Sequence, residues 1–168
     1  MIRDKAINVL KKHDRLYVWL MENGYFDAPA AKSHHGAYKG GLFAHSLAVA
    51  AELQNLTDKL GLKWEREESP YIIGLLHDVC KMEDYVYSDN DKIEWNNHAM
   101  YPGHGDKSLI MLMGLIELTE EEKLCIRYHM GAFVDQKEWS YYSRAVNICP
   151  NVLFTHTADM IASQINGE

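Results

Sequence analysis

Residues 75–81 read LLHDVCK: a histidine and an aspartate stand side by side in an apolar run, with a lysine close behind. Upstream, Ser69 followed by Pro70 supplies an N-cap and a proline at the first helical position, so the spacing predicts a helix carrying Tyr71 to about Met82. The His77–Asp78 pair then falls inside a helix, where leucine would ordinarily be buried. An ionisable group held there without a partner is expensive. The fold class depends on whether the rest of the chain is helical too, and the pair's meaning depends on what else the fold brings to it.

Reading outward, nearly every segment has helical rather than alternating periodicity. In MIRDKAINVLKKHDRLYVWLMENG the apolar residues Ile2, Ala6, Val9, Leu10, Leu16, Val18 and Leu20 recur largely at three- and four-residue steps, and Gly24 fits a C-terminal stop, which predicts one amphipathic helix. A loop with Pro29, His34, His35 and Gly40-Gly41 leads to a second helix from about Leu42 through Leu60, stopped by Gly61. Between Asp84 and Tyr101 the pattern breaks: YVY and IEW flank the polar turn SDNDK, a weak hairpin signal. Helices resume near Asp106. Thr119 with Glu122 forms a capping-box signature for the helix ending in CIRYHMG, and Pro150 precedes a last helix from about Asn151 to Gln164. With no repeat, low-complexity tract or linker, residues 1–168 read as a single all-α domain, a bundle of six or so helices.

Composition is consistent with this. The chain has 168 residues, 47% hydrophobic and 24% charged, enough for one sizeable core. Its net charge of -7 disfavours a long nucleic-acid footprint, although a small anionic substrate stays compatible through a bound cation. Cys80, Cys125 and Cys149 are odd in number and far apart, as reduced thiols of a cytosolic protein would be. No apolar run reaches bilayer length and the N-terminus lacks a signal-peptide core, so the expectation is a soluble cytoplasmic protein without membrane association.

A lone histidine such as His45 in GGLFAHSLAVA is more often a hydrogen-bonded core residue than a ligand. Recurrence changes that balance. His77 and Asp78 lie in LLHDVCK, His104 in YPGHGDKS, His129 in IRYHMGA and Asp159 in FTHTADMIA, and a shared cation would offset the burial of several such groups. Lys81 follows His77 by four residues and Asp78 by three, which places its ammonium on the same side.

The ordered set His45, His77-Asp78, His104, His129 and Asp159 resembles the H…HD…H…H…D signature of the HD-domain metal-dependent phosphohydrolases. The stretch HHGAYKGGLFAHSLAVA resembles the segment before the first ligand in the HD domains of certain bacterial 3'-5' exoribonucleases. The likeness spans about residues 34 to 162. It implies that His45, His77, Asp78 and Asp159 bind one metal, and that in a dinuclear arrangement Asp78 bridges to a second metal held also by His104 and His129. Many dinuclear relatives carry a second histidine after the His129 position. Here it is Met130, whose thioether does not suit a hard cation. His156 is a spare candidate beside Asp159, equally readable as a supporting or surface residue, and His34 and His35 read as a solvated loop or part of the mouth.

The nitrogen and oxygen donors suit one or two divalent ions: Mn, Fe, Co, Ni, Zn or Mg. Cys80 reads as packing. The implied reaction is hydrolysis of a phosphoester, a nucleotide or short oligonucleotide, by metal-activated hydroxide attacking phosphorus near Asp78. Lys81 would stabilise phosphate charge or orient Asp78. Arg127, Arg144 and Lys107 are further phosphate-contact candidates, each also readable as an ordinary solvated cation. Phe133, Trp139, Tyr141, Tyr142, Tyr85, Tyr87 and Trp95 could stack on a base or simply pack. Two other functions fit the same residues, a non-catalytic metal-bearing nucleotide sensor and a di-iron oxygenase.

Overall fold

The protein is described from a computed structural model covering residues 2–33 and 36–167. His34 and His35 lie outside the described residues. The predicted first helix is in fact two, α1 (Ile2–Lys11) and α2 (Asp14–Glu22). The break falls in the polar run KKHDR, where the apolar stripe formed by Ala6, Val9, Leu10, Leu16 and Leu20 has its gap. His13 leaves helical geometry there (φ -112°, ψ 71°), and both halves still bury their apolar residues.

The longest helix, α3 (Gly41–Leu60), is bounded by left-handed glycines, Gly40 at φ +86° and Gly61 at φ +66°, conformations that a Cβ disfavours. Its buried stripe runs Leu42, His45, Ser46, Val49, Ala50 and Leu53, so a histidine occupies a core position. The next helix, α4 (Ser69–Leu76), is buried throughout. Glu68 rather than Ser69 is its N-cap residue, and the Ser69 hydroxyl instead donates to Glu122 Oε1 at 2.8 Å. The helix also ends at Leu76, short of the predicted Met82, and a four-residue helix, α5 (Lys81–Asp84), follows after a tight turn.

The hairpin signal is realised as β1 (Tyr85–Tyr87) antiparallel to β2 (Ile93–Trp95), with Tyr85 opposite Trp95. Beyond it come α6 (Gly105–Leu112) and α7 (Glu120–Tyr128), the latter with its full capping box: Glu122 N donates to Thr119 Oγ1 and Thr119 N to Glu122 Oε2. A 3-10 turn (Gln136–Glu138) precedes α8 (Trp139–Ile148). The chain closes with α9 (Asn151–Met160), prolonged by a π turn (Ile161–Ile165). The architecture is all-α, with one small hairpin. No helix among the described residues is long and apolar enough to cross a membrane, and Cys80, Cys125 and Cys149 are buried free thiols.

The centre of the bundle is α3 packed on α4 and α9, with α7 against α4 and α9. Gly74 sets the α3–α4 approach, because a Cβ there would lie 2.5 Å from both Cα and N of Ala50. Backbone cannot yield as a side-chain tip does. Gly74→Ala is therefore expected to destabilise the fold by about 2–3 kcal/mol through overpacking, although alanine gains about 1 kcal/mol of helix propensity. The check is a melting-temperature fall of roughly 4–10 °C in thermal denaturation.

Candidate metal centre

The four helices of that centre each deliver chemistry to one point. His45 projects from the first turns of α3, His77 and Asp78 follow the end of α4, His129 caps α7, and Asp159 lies near the end of α9. The turn after α4 explains how two adjacent residues act together. From Leu76 onward the backbone bonds shorten their span: Val79 N donates to Leu76 O, Lys81 N to Asp78 O, and Met82 N to Val79 O. In this 3-10-like geometry residues three apart eclipse one another. Lys81 accordingly stands directly over Asp78, Nζ to Oδ2 at 2.6 Å.

Around Asp78 the donor atoms converge. His45 Nε2 lies 3.3 Å from His77 Nε2, 3.2 Å from Asp159 Oδ1 and 3.7 Å from Asp78 Oδ2. His77 Nε2 is 3.4 Å from Asp78 Oδ2, and His129 Nε2 is 3.3 Å from Asp78 Oδ1. His45, His77, Asp78 and His129 are buried, and Asp159 is nearly so.

Hydrogen bonding decides the form of two of these rings. His77 Nδ1 lies 2.9 Å from Gly74 O and His129 Nδ1 lies 2.8 Å from Ile126 O. A carbonyl only accepts, so both Nδ1 atoms carry protons, and in the neutral rings each Nε2 is a bare lone pair. These lone pairs face carboxylate oxygens, an arrangement that lacks a positive charge between them. Asp78 Oδ1 and His129 Nε2 are both buried without a hydrogen-bond partner among the described residues. A divalent cation satisfies this donor set: imidazole Nε2 atoms fixed through Nδ1, with carboxylates alongside. Two three-residue groups have donor atoms close enough to share an ion, His45 with His77 and Asp78, and His77 with His129 and Asp159. His129 thus belongs to the inner knot.

His104 sits at the outer edge of this knot. Its Nδ1 is 3.9 Å from Asp78 Oδ1, 3.9 Å from Asp84 Oδ2 and 3.5 Å from Cys80 Sγ. Asp78, Cys80 and His104 make a third grouping. Burial, reinforced by Asp78, pushes the Cys80 thiol far up, which favours its protonated form in the metal-free state. Burial also lowers the His104 pKa, favouring the neutral ring.

The charges are strongly biased. Burial opposes ionisation of Asp78, but the Lys81 ammonium, His77 and His129 together outweigh it and hold the carboxyl well below its ordinary value. Burial likewise works against the charge on Lys81, and Asp78 raises its pKa on balance. For Asp159, burial is outweighed by the hydrogen bond to His45 together with His77 and His129, and its pKa is lowered. In the metal-free state the Lys81 ammonium offsets the charge of Asp78.

A cavity of about 360 Å³ opens over the knot, and His45, Asp78, Lys81, His104 and Asp159 are in its lining. Met130, Phe133, His156 and Met160 also line it. Of the seven aromatic candidates Phe133 is in this lining. Tyr85 and Trp95 stack on each other across the hairpin at 4.8 Å, and Trp139 Nε1 donates to Ala132 O.

The structure does not bring the arginines to this cavity. Arg127 pairs with Asp106 and with Glu138, the latter at 2.7 Å, and lines a smaller neighbouring cavity of about 210 Å³. Arg144 is exposed, bonds Ser140 O at 3.2 Å and stacks over Tyr141. Lys107 is consumed by Glu83 and Asp84. Asp84 escaped sequence reasoning, although its spacing, three residues after Lys81 and six after Asp78, was the available signal.

Over 97 residues the chain is 30% identical to a dihydroneopterin 2',3'-cyclic phosphate phosphodiesterase of Methanocaldococcus jannaschii, a match covering 53% of this chain and 38% of the relative. The similarity thus spans well under half of that protein's length. No family model matches the sequence, and no solved structure matches it significantly.

Proposed function

We propose that this chain is a divalent-metal-dependent phosphohydrolase of the HD type, a single domain over residues 1–168 that cleaves a small nucleotide or nucleotide-like phosphoester. The observation that carries the reading is the knot of Nδ1-anchored imidazoles and carboxylates beneath a cavity of about 360 Å³, with Asp78 Oδ1 and His129 Nε2 buried and without a hydrogen-bond partner among the described residues. The likeness to a cyclic-phosphate phosphodiesterase adds support, and makes a cyclic phosphodiester the first substrate to try. Three buried free thiols fit a reducing compartment such as the cytoplasm.

In this reading His45, His77, Asp78 and Asp159 hold one ion, with His129 beside them. A second ion, where present, would lie on the His104 and His129 side of Asp78. A cation bound there supplies Lewis-acid polarisation and acidifies water at the centre. The chain's own residues do the rest. Asp78 accepts a hydrogen bond from the attacking water and orients it toward phosphorus. Lys81, freed from its role as counter-charge to Asp78, pairs with a phosphoryl oxygen and stabilises the charge that grows there. The buried donor set keeps bulk water away from the reacting atoms.

The test is a metal-supplemented screen of 2',3'-cyclic nucleotides, nucleoside monophosphates and aryl phosphoesters. Hydrolysis that is abolished by chelation and restored by Mn, Co, Ni, Zn, Fe or Mg supports the proposal. Tight metal-dependent binding with every ester recovered intact would replace it with a sensor.

A further inference from the structure

His156 lies one helical turn before Asp159, yet it belongs to none of the groups whose donor atoms could share an ion. It lines the same cavity as His45, Asp78 and Asp159. Nδ1 is 2.8 Å from the carbonyl oxygen of His129, so by the same reasoning as before Nδ1 carries the proton and Nε2 of the neutral ring is a hydrogen-bond acceptor. No other hydrogen bond among the described residues holds the ring. What fixes it is packing. Gly131 passes so close that a Cβ there would lie 2.7 Å from the imidazole, and the rings of Phe133 and Tyr142 flank it at 6.1 and 6.5 Å.

The lining of the cavity therefore combines two unlike sets of residues. One is ionic and matches a phosphoryl group. The other, Met130, Phe133 and Met160, is apolar, and joins an immobilised acceptor at His156 with Ser163 and Gln164 of the π turn. A lone-pair acceptor repels phosphate oxygens, which are themselves acceptors. It suits an O–H or N–H donor on the organic part of the substrate, and the apolar set suits that part's flat face.

Resting on the phosphohydrolase reading, we infer that His156 selects the organic moiety by accepting a hydrogen bond from a hydroxyl or ring N–H. The favoured substrate class is then a heterocycle bearing a hydroxylated ester, rather than an aryl or simple alkyl phosphate. His156 is a binding residue for the substrate, and does not act through the metal ligands.

The test compares two variants on two substrates. His156→Phe keeps a ring against Gly131 and removes the acceptor, and His156→Asn keeps a donor toward the His129 carbonyl while its own acceptor, Oδ1, stops short of the position of Nε2. Each is assayed with adenosine 2',3'-cyclic phosphate and with bis(p-nitrophenyl) phosphate, which carries no donor. Expected is a KM raised about tenfold for the nucleotide, the scale of one lost hydrogen bond, with kcat little changed and kcat/KM for the aryl ester within about twofold. In parallel, calorimetry on the metal-loaded protein should show adenosine 3'-monophosphate binding weakened to the same degree and inorganic phosphate binding unchanged. An equal loss on both esters, or no loss on the nucleotide, overturns the inference. If the wild-type protein binds adenosine 3'-monophosphate but hydrolyses neither ester, the phosphohydrolase reading fails by itself, and the two calorimetric titrations still decide the role of His156.

Discussion

Asp78→Asn is expected to lower phosphoester turnover by roughly 10²–10³-fold, the range seen when one preorganised electrostatic group is removed from an active site, while the helical circular dichroism spectrum stays unchanged. The residue is the hub of the centre: His77, His129 and Lys81 all lie within 3.4 Å of its two oxygens. Asparagine retains the volume in a packed interior, so the backbone has no reason to move. What is lost is the negative charge that Lys81 faces without metal and that a cation would face with it. Metal affinity should fall together with turnover. Wild-type turnover in Asp78→Asn at saturating metal would remove Asp78 from the chemistry altogether.

Lys81→Met should produce a split of opposite signs: turnover falls by about 10²-fold, while divalent-metal affinity rises by about tenfold. The ammonium lies 2.6 Å from Asp78 Oδ2, where it neutralises the same carboxylate that a cation needs. Two like charges about 4 Å apart repel by about 4 kcal/mol at the effective dielectric of a protein surface, and a tenfold change in affinity requires only about 1.4 kcal/mol. Methionine fills the space without competing. Isothermal titration with Mn or Zn, beside steady-state kinetics, reads both quantities. Weaker metal binding in this variant would mean that Lys81 organises the ligands rather than opposing the ion.

The pair also fixes a pH window for the metal-free protein. Asp78 has a depressed folded pKa, so its contribution to stability is present above its unfolded value near 4 and is lost as pH falls through the folded value. Lys81 has a raised folded pKa, so its contribution is present below its unfolded value near 10 and is lost as pH rises through the folded value. The pair therefore stabilises the fold fully between those limits.

Much of this was legible in the residues themselves, for local reasons. Gly61 stopped α3 because only glycine enters the left-handed region easily, and Thr119 with Glu122 capped α7 because both orphan amides at that terminus are met by side chains. The hairpin around SDNDK was visible from its aromatic flanks. The candidate site was legible as a recurrence: His45, His77, Asp78, His129 and Asp159 each stood where an apolar residue belonged, and the fold gathers them into two groups of three that share His77, each with donor atoms close enough to hold an ion.

Other features depended on tertiary packing. Periodicity ran α1 into α2, because the break at His13 follows how two short helices wrap the core. The ending of α4 at Leu76 was likewise hidden, since an apolar run looks the same whether its backbone bonds span three residues or four. That tightening is what sets Lys81 over Asp78. The surroundings of the arginines were hidden for a related reason: Arg127 meets Asp106 and Glu138, and Arg144 lies on an outer surface, relations that no spacing encodes.

The most direct test is elemental analysis of freshly purified protein alongside calorimetric titration of the chelated protein, for wild type and His77→Ala. The account predicts one or two equivalents of a divalent metal in wild type, micromolar or tighter rebinding, and loss of both in the variant. Wild-type protein that carries no divalent metal and takes up none on titration would contradict it.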